Sequence, residues 1–191
     1  MKIISGTKKG RSFDAPPGRN TRPTLARVKE AMFGMIQFDI EGRYVLDLFA
    51  GSGSLGFEAL SRGASEAVLC DSSRDAAKLI MKNVSTLGFE SNARVFCCDC
   101  NALIKMLAGE GRKFSLVLLD PPYAAGLTEG VVDALVENNL LDEGCILLAE
   151  HAWKEQLKIE TKGIICREPR KYGDSAVTYM EFFPNEQENG K

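Results

Sequence analysis

Four acidic residues mark the ends of four apolar runs, and a tetrad with two prolines begins at the last of them. Asp47 lies within Tyr44 to Phe49, Asp71 follows Ala67 to Cys70, Asp99 follows Ala93 to Cys98, and Asp120 follows Phe114 to Leu119. In an open α/β sheet, ligands sit outside the carboxyl ends of the strands, so acids at those ends are candidates for chemistry. The tetrad Asp120-Pro121-Pro122-Tyr123 is the most informative. Its prolines fix the backbone and have no N–H to donate, which leaves their carbonyls free to face outward. Asp120 and the Pro121 carbonyl can both accept from an exocyclic amine, while Tyr123 offers a face on which a planar base can stack. Holding an NH2 group by its hydrogens aims the nitrogen lone pair at an electrophile. Methyl transfer from a sulfonium then needs mainly orientation and no covalent nucleophile. Asp-Pro-Pro is also a good turn sequence, but its place after a strand in a regular alternating pattern favours the chemical reading.

A second constellation runs from Val45 to Gly56 as a buried strand, a glycine-rich turn and a helix start. Phe49, Ala50, Gly51, Ser52 and Gly53 form the turn, where the glycines allow positive φ and close approach of a ligand to the backbone. Asp71, with Ser72 beside it, follows Gly51 at the spacing at which an acid can accept from ribose hydroxyls. The literal match Gly51-x-Gly53-x-x-Gly56 also fits a nicotinamide dinucleotide site. Asp47 separates the two, because a carboxylate there does nothing for a pyrophosphate but attracts the ammonium and sulfonium of S-adenosylmethionine.

The elements that must position these residues alternate strand and helix from Tyr44, which is the pattern of a parallel sheet with helical crossovers. Helices are expected from about Ser54 to Arg62, Arg74 to Leu87, from about Ala102, and from Glu129 to Asn138; a fifth strand is expected over Gly144 to Ala149. Lys158 to Cys166 and Ser175 to Phe183 read as two further strands with no helix between, an antiparallel hairpin added to the parallel sheet. Ahead of the sheet, Ile3 to Phe13 suggests a small hairpin, and Thr24 can cap a helix with Leu25, Val28, Met32, Met35 and Ile36 on one stripe and its cations outward. Residues 1–40 thus form a basic extension and residues 41–191 an α/β domain.

The bulk composition narrows the class. No apolar run approaches the ~18 residues of a membrane span, and no secretory leader is visible, so a cytoplasmic protein is expected. Net charge is only −2, yet Met1 to Glu30 holds eight cations against Asp14 and Glu30, which points to a basic patch and a nucleic-acid partner. Lys8, Lys9, Arg11, Arg19, Arg22 and Arg27 are the candidates for phosphate contacts. The six cysteines sit mostly inside apolar runs as small core residues, and one histidine, His151, is too few to complete a metal site with Cys97, Cys98 and Cys100; no metal is expected.

The pair of motifs, Asp47 to Gly53 with Asp120 to Tyr123, resembles the S-adenosylmethionine-dependent amino-group methyltransferases marked by an Asp-Pro-Pro-Tyr type tetrad. Arg22-Pro23-Thr24, Arg27-Val28-Lys29-Glu30 with Phe33, and Glu58-Ala59-Leu60-Ser61-Arg62-Gly63 narrow the likeness to the RsmD-type bacterial 16S ribosomal RNA guanine-N2 methyltransferases. The resemblance covers nearly the whole chain and departs at Leu25-Ala26, where that family is expected to have Thr-Asp. It implies a Rossmann-like sheet of roughly seven strands with the last antiparallel. It also implies that Asp47, Gly51 and Gly53 line the methionine end of S-adenosylmethionine, Asp71 holds the ribose, Asp99, Asn101 and Ala102 border the adenine, and Asp120 to Tyr123 hold a target guanine. The implied partner is 16S rRNA within a small subunit or an assembly intermediate, with the enzyme acting as a monomer. An adenine-N6 DNA or RNA methyltransferase, or an RNA-binding protein on the same fold without turnover, remain alternatives, since the tetrad recognises an amine and not the rest of a base.

Overall fold

The computed structural model describes residues 1–16, 23–122 and 126–185. Tyr123, Arg19 and Arg22, three of the residues singled out above, lie outside these. Five helices, α1 (Pro23–Met35), α2 (Ser54–Ser61), α3 (Arg74–Leu87), α4 (Cys100–Gly109) and α5 (Leu127–Glu137), accompany the strands β1 (Tyr44–Asp47), β2 (Glu66–Asp71), β3 (Ala93–Cys97), β4 (Phe114–Leu119), β5 (Leu141–Ala152), β6 (Ile164–Cys166), β7 (Arg170–Tyr172) and β8 (Ser175–Phe182). The strands form one sheet in the order β3-β2-β1-β4-β5-β8-β6, with β7 also on β8. The first five positions are parallel, and β8 joins β5 antiparallel, as the alternating pattern and its terminal pair predict.

Side-chain alternation along each strand divides the core into two layers. Val45, Leu69, Leu116, Leu118, Ile146 and Leu148 face one layer with Phe33 of α1, Phe57 of α2 and Ile80 of α3. Leu46, Val68, Val117, Leu119 and Leu147 face the other, which Leu103 of α4 and Val132 of α5 complete. Both faces of the sheet are thus covered, which is why its strands read as continuous apolar runs.

Several boundaries differ from the sequence expectation for local reasons. α1 begins at Pro23, so the helix starts one residue before Thr24; a proline suits a first turn, where its missing N–H has no partner to lose. α4 starts at Cys100 and not near Ala102, because Asp99 caps it by accepting from Asn101 N at 2.8 Å. β5 runs on to Ala152, so His151 is a buried strand residue whose Nδ1 donates to Ala152 O at 3.0 Å while its Nε2 lies 2.9 Å from Thr178 Oγ1. The segment expected as one strand from Lys158 narrows to β6. β6 and β7 both pair with the outer edge of β8, and the interruption between them contains Pro169, which cannot donate to a ladder. Eight strands therefore occupy about seven positions.

Residues 1–16 close a small loop by a single antiparallel bridge, Lys2 to Ser12, in place of a regular hairpin. Glu58, fully buried on α2, holds it down: Oε2 accepts from Ile4 N at 2.8 Å, and Oε1 accepts from Ser5 N at 3.0 Å and Arg62 Nε at 2.8 Å. Lys29 Nζ completes the cluster 3.5 Å from Glu58 Oε2, donating also to Lys2 O and Ser54 Oγ. Lys29 is thus turned inward, against the expectation that this helix shows its cations to solvent. Burial lowers its pKa, and Glu58 opposes that shift.

Candidate active site

The two-residue period of the strands carries Asp47, Asp71, Asp120 and Glu150 onto one face at the carboxyl ends of β1, β2, β4 and β5. Each follows a residue of the first core layer at a spacing of two, namely Val45, Leu69, Leu118 and Leu148. Asp47 sits deepest, with no exposed surface; its Oδ2 accepts from Gly56 N at 3.0 Å, and among the described residues its Oδ1 has no partner at hydrogen-bond geometry. Burial above all, and then the charges of Asp120 and Asp71, push its carboxyl up to about 7, against the backbone N–H groups of Gly56 and Phe49, which favour the charged form. A buried carboxyl with an unused acceptor oxygen and, among the described residues, the acids Asp120 and Asp71 for charged neighbours is electrostatically suited to a cationic group placed against it.

The glycine turn above Asp47 divides its labour. Gly51 has φ 57° with open space where a side chain would begin, and its N–H donates to Asp71 Oδ2 at 2.9 Å. Gly53 has φ 83°, and a Cβ there would lie 2.3 Å from the Phe57 ring; at Gly56 it would meet Leu69 Cδ2 at 2.8 Å. Gly53 is therefore required by the Phe57 ring of the helix it precedes, Gly56 by close packing of α2 on β2, and of the three Gly51 has open space where a side chain would begin. Ala50 and Ser52 are buried and Phe49 packs on the second core layer. Ser52 turns its hydroxyl to Met1 Sδ at 3.0 Å, and its carbonyl accepts from Asn83 Nδ2 at 3.0 Å.

Asp71 also accepts from Ser73 N at 2.8 Å through Oδ1, so its carboxylate braces the turns after β1 and β2 at once. Ser72, Asp99, Asn101 and Ala102 are exposed around the mouth of the same end. Pro121 is buried, Pro122 exposed and Asp120 half-buried. Glu150, which sequence reasoning missed, is 4% exposed beside Asp120 and accepts from the Ser175 side chain; burial first, and the Asp120 charge second, raise its pKa. Its signal was present as an acid ending the apolar run Ile146 to Ala149.

The basic residues are dispersed. Lys8, half-buried, hangs its ammonium 5.7 Å above the Phe89 ring, and its backbone N–H donates to Ser61 Oγ, at the far end of α2. Eight residues of helix, about 12 Å, separate that point from the glycine turn. Lys9 and Arg11 are exposed on the same loop, whereas Arg27 is exposed on α1, two residues from the Lys29 contact with Ser54. Among the described residues no cluster of His, Cys, Asp and Glu could hold a metal ion, and no helix is long and apolar enough to cross a membrane.

Known proteins match this arrangement over most of its length. The chain is 36% identical over 177 residues to YlbH of Bacillus subtilis, spanning 93% of this chain and 96% of that one. It is 37% identical over 150 residues to the ribosomal RNA small subunit methyltransferase D of Escherichia coli K12, spanning 78% and 74% of the two chains. The solved yhhF structure from Escherichia coli superposes with a TM-score of 0.85 at 30% identity, covering 97% of this chain and 99% of that one. With residues 1–181 also matched by the family model described as Conserved hypothetical protein 95, the chain belongs to that family, the RsmD-type group its motifs resemble.

Proposed function

We propose that the protein transfers a methyl group from S-adenosylmethionine to the exocyclic N2 of a guanine in 16S ribosomal RNA. The observation that carries this reading is the convergence of Asp47, with its buried unpartnered oxygen, and the Asp120-Pro121-Pro122 segment on one end of the sheet. The small-subunit methyltransferase name of a relative 37% identical supports the substrate class. S-adenosylmethionine, when bound, supplies an electrophilic methyl on a sulfonium. Asp47 would face the positive end, Gly51 would admit close approach, Asp71 would accept from the ribose, and Asp99, Asn101 and Ala102 would border the adenine. Asp120 Oδ and the Pro121 carbonyl would accept the hydrogens of the guanine amine, leaving its lone pair aimed at the methyl. Nitrogen gains the methyl and must lose a proton, for which the Asp120 carboxylate is the nearest acceptor. Tyr123 would stack on the base once it is unstacked from the RNA. Exposed Arg27, with Lys9 and Arg11 further off, would contact phosphates.

The experiment is to incubate the protein with labelled S-adenosylmethionine and small subunits lacking the modification, then map the labelled nucleotide in an RNA digest. Label in N2-methylguanosine is the expected result, and label in N6-methyladenosine would overturn the base assignment. Asp120→Ala should bind S-adenosylmethionine near normally in calorimetry and lose methyl transfer by about 100-fold or more, the scale of a lost orientation; wild-type turnover in the variant would sink the mechanism.

A further inference from the structure

The tetrad after β4 accounts for an amine but not for the choice of base, and Glu150 lies where that choice can be made. β4 and β5 are parallel neighbours paired Leu116 to Ile146, Leu118 to Leu148 and Leu119 to Ala149. Leu116, Leu118, Ile146 and Leu148 share the first core layer, so one further step along each strand brings Asp120 and Glu150 level on that same face. The strands themselves run about 4.8 Å apart, within reach of a single base edge. Val177 pairs with Glu150 on the other side, and two residues along β8 the Ser175 side chain donates to the Glu150 carboxyl. Glu150 is therefore held in place at 4% exposure. Burial and then Asp120 raise its carboxyl to about 7, while the Ser175 hydrogen bond favours the charged form. Above that pH it is a carboxylate that only accepts, in a site where water does little to replace its hydrogen bonds.

Resting on the methyltransferase reading above, we infer that Glu150 reads the Watson–Crick edge of the target base beside Asp120, accepting the ring N1–H of guanine, and so selects guanine over adenine. Guanine presents two neighbouring donors on that edge, N1–H and the N2 amine, and two carboxylates side by side accept from both. Adenine presents an amine beside an unprotonated N1, whose lone pair would face the Glu150 carboxylate. A sheltered site built to hydrogen-bond one group rejects an analogue that lacks it, because the buried partner is left unmatched.

The test uses 2-aminopurine, which keeps the reacting N2 amine but has a bare N1. Small subunits are reconstituted with 16S rRNA carrying either guanosine or 2-aminopurine at the mapped position, and kcat/KM is measured for both. The wild type should prefer guanosine by about 100-fold, the discrimination of a good paired contact. Glu150→Gln, whose amide can accept from N1–H or donate to a bare N1, should bring the two substrates within about threefold. The missing O6 of 2-aminopurine affects both enzymes alike, so the change in ratio isolates Glu150. If Glu150 serves only to support the fold, the variant loses activity equally on both RNAs, which overturns the inference. Should Glu150→Gln fail a thermal-melt and cofactor-binding check, Ser175→Ala decides instead: freeing the Glu150 side chain should relax the ratio partway, and an unchanged ratio refutes the role. Wild-type enzyme that methylates neither RNA would instead sink the methyltransferase reading itself.

Discussion

Asp47 and Glu58 are both carboxylates with no exposed surface, and both bond to groups of or beside α2, yet their surroundings are opposite. Glu58 receives two backbone N–H groups and the Arg62 guanidinium, with the Lys29 ammonium at 3.5 Å. Asp47 receives the Gly56 N–H on one oxygen, has a second oxygen without a partner at hydrogen-bond geometry among the described residues, and has Asp120 and Asp71 for charged neighbours. Burial alone therefore does not distinguish a structural acid from a functional one; the inventory of donors does. An acid whose acceptors are filled by its own chain fastens the fold. An acid with a spare acceptor among like charges holds a preference that a ligand can satisfy.

Glu58→Ala tests the structural half and should have the largest effect. It strands Lys29 and Arg62 without their counter-charge and frees the Ile4 and Ser5 N–H groups, so urea unfolding should show a loss of about 3–5 kcal/mol, as for other broken buried pairs. A loss below about 1 kcal/mol would remove the contrast. Gly53→Ala should come next, because positive φ and a collision with the Phe57 ring act together; thermal melting should register more than about 2 kcal/mol.

Asp47→Asn should move stability the other way. Burial pushes the folded carboxyl up to about 7, against 3.8 for an unperturbed aspartate, so between those values the native chain holds a proton that the unfolded chain releases. Stability from this group consequently falls as pH rises toward 7 and stays lowered above it. Urea unfolding of Asp47→Asn against wild type should thus show a gain of about 1–2 kcal/mol at pH 8 that shrinks at pH 5, together with weaker S-adenosylmethionine binding in calorimetry. A pH-independent difference would mean that Asp47 is not the titrating group. Gly51→Ala should be mildest for the fold, about 1 kcal/mol from the left-handed backbone, and should lose cofactor affinity out of proportion to that cost. Equal sensitivity of the two glycine variants in both assays would erase the division of labour within the turn.

What was legible from sequence followed from periodicity and punctuation. α3 runs from Arg74 to Leu87 and stops at Gly88 as read, because Ser73 caps one end and a left-handed glycine closes the other. The acids at the ends of β1, β2 and β4 were legible because an isolated charge in an apolar run is conspicuous. What escaped depended on partners distant in sequence. Lys29 looked like a surface cation until Glu58, twenty-nine residues on, drew it inward. Gly53 has a further constraint that the chain does not announce, since the Phe57 ring fills the space where a side chain would begin. Glu150 escaped because β5 runs past the point where its apolar residues stop, its partner Ser175 lying in a strand that follows much later. β7, with only Arg170, Lys171 and Tyr172, has no hydrophobic signature to find.

The proline between β6 and β7 has a consequence for the molecule in concentrated solution. A free sheet margin is a template on which another chain can build, and unbroken apolar margins seed aggregation. Here that margin is offered only in two runs of three residues, separated by a stretch that contains Pro169, which cannot donate, and the second run carries Arg170 and Lys171. On that side of the sheet a neighbouring chain therefore finds little continuous backbone to pair with.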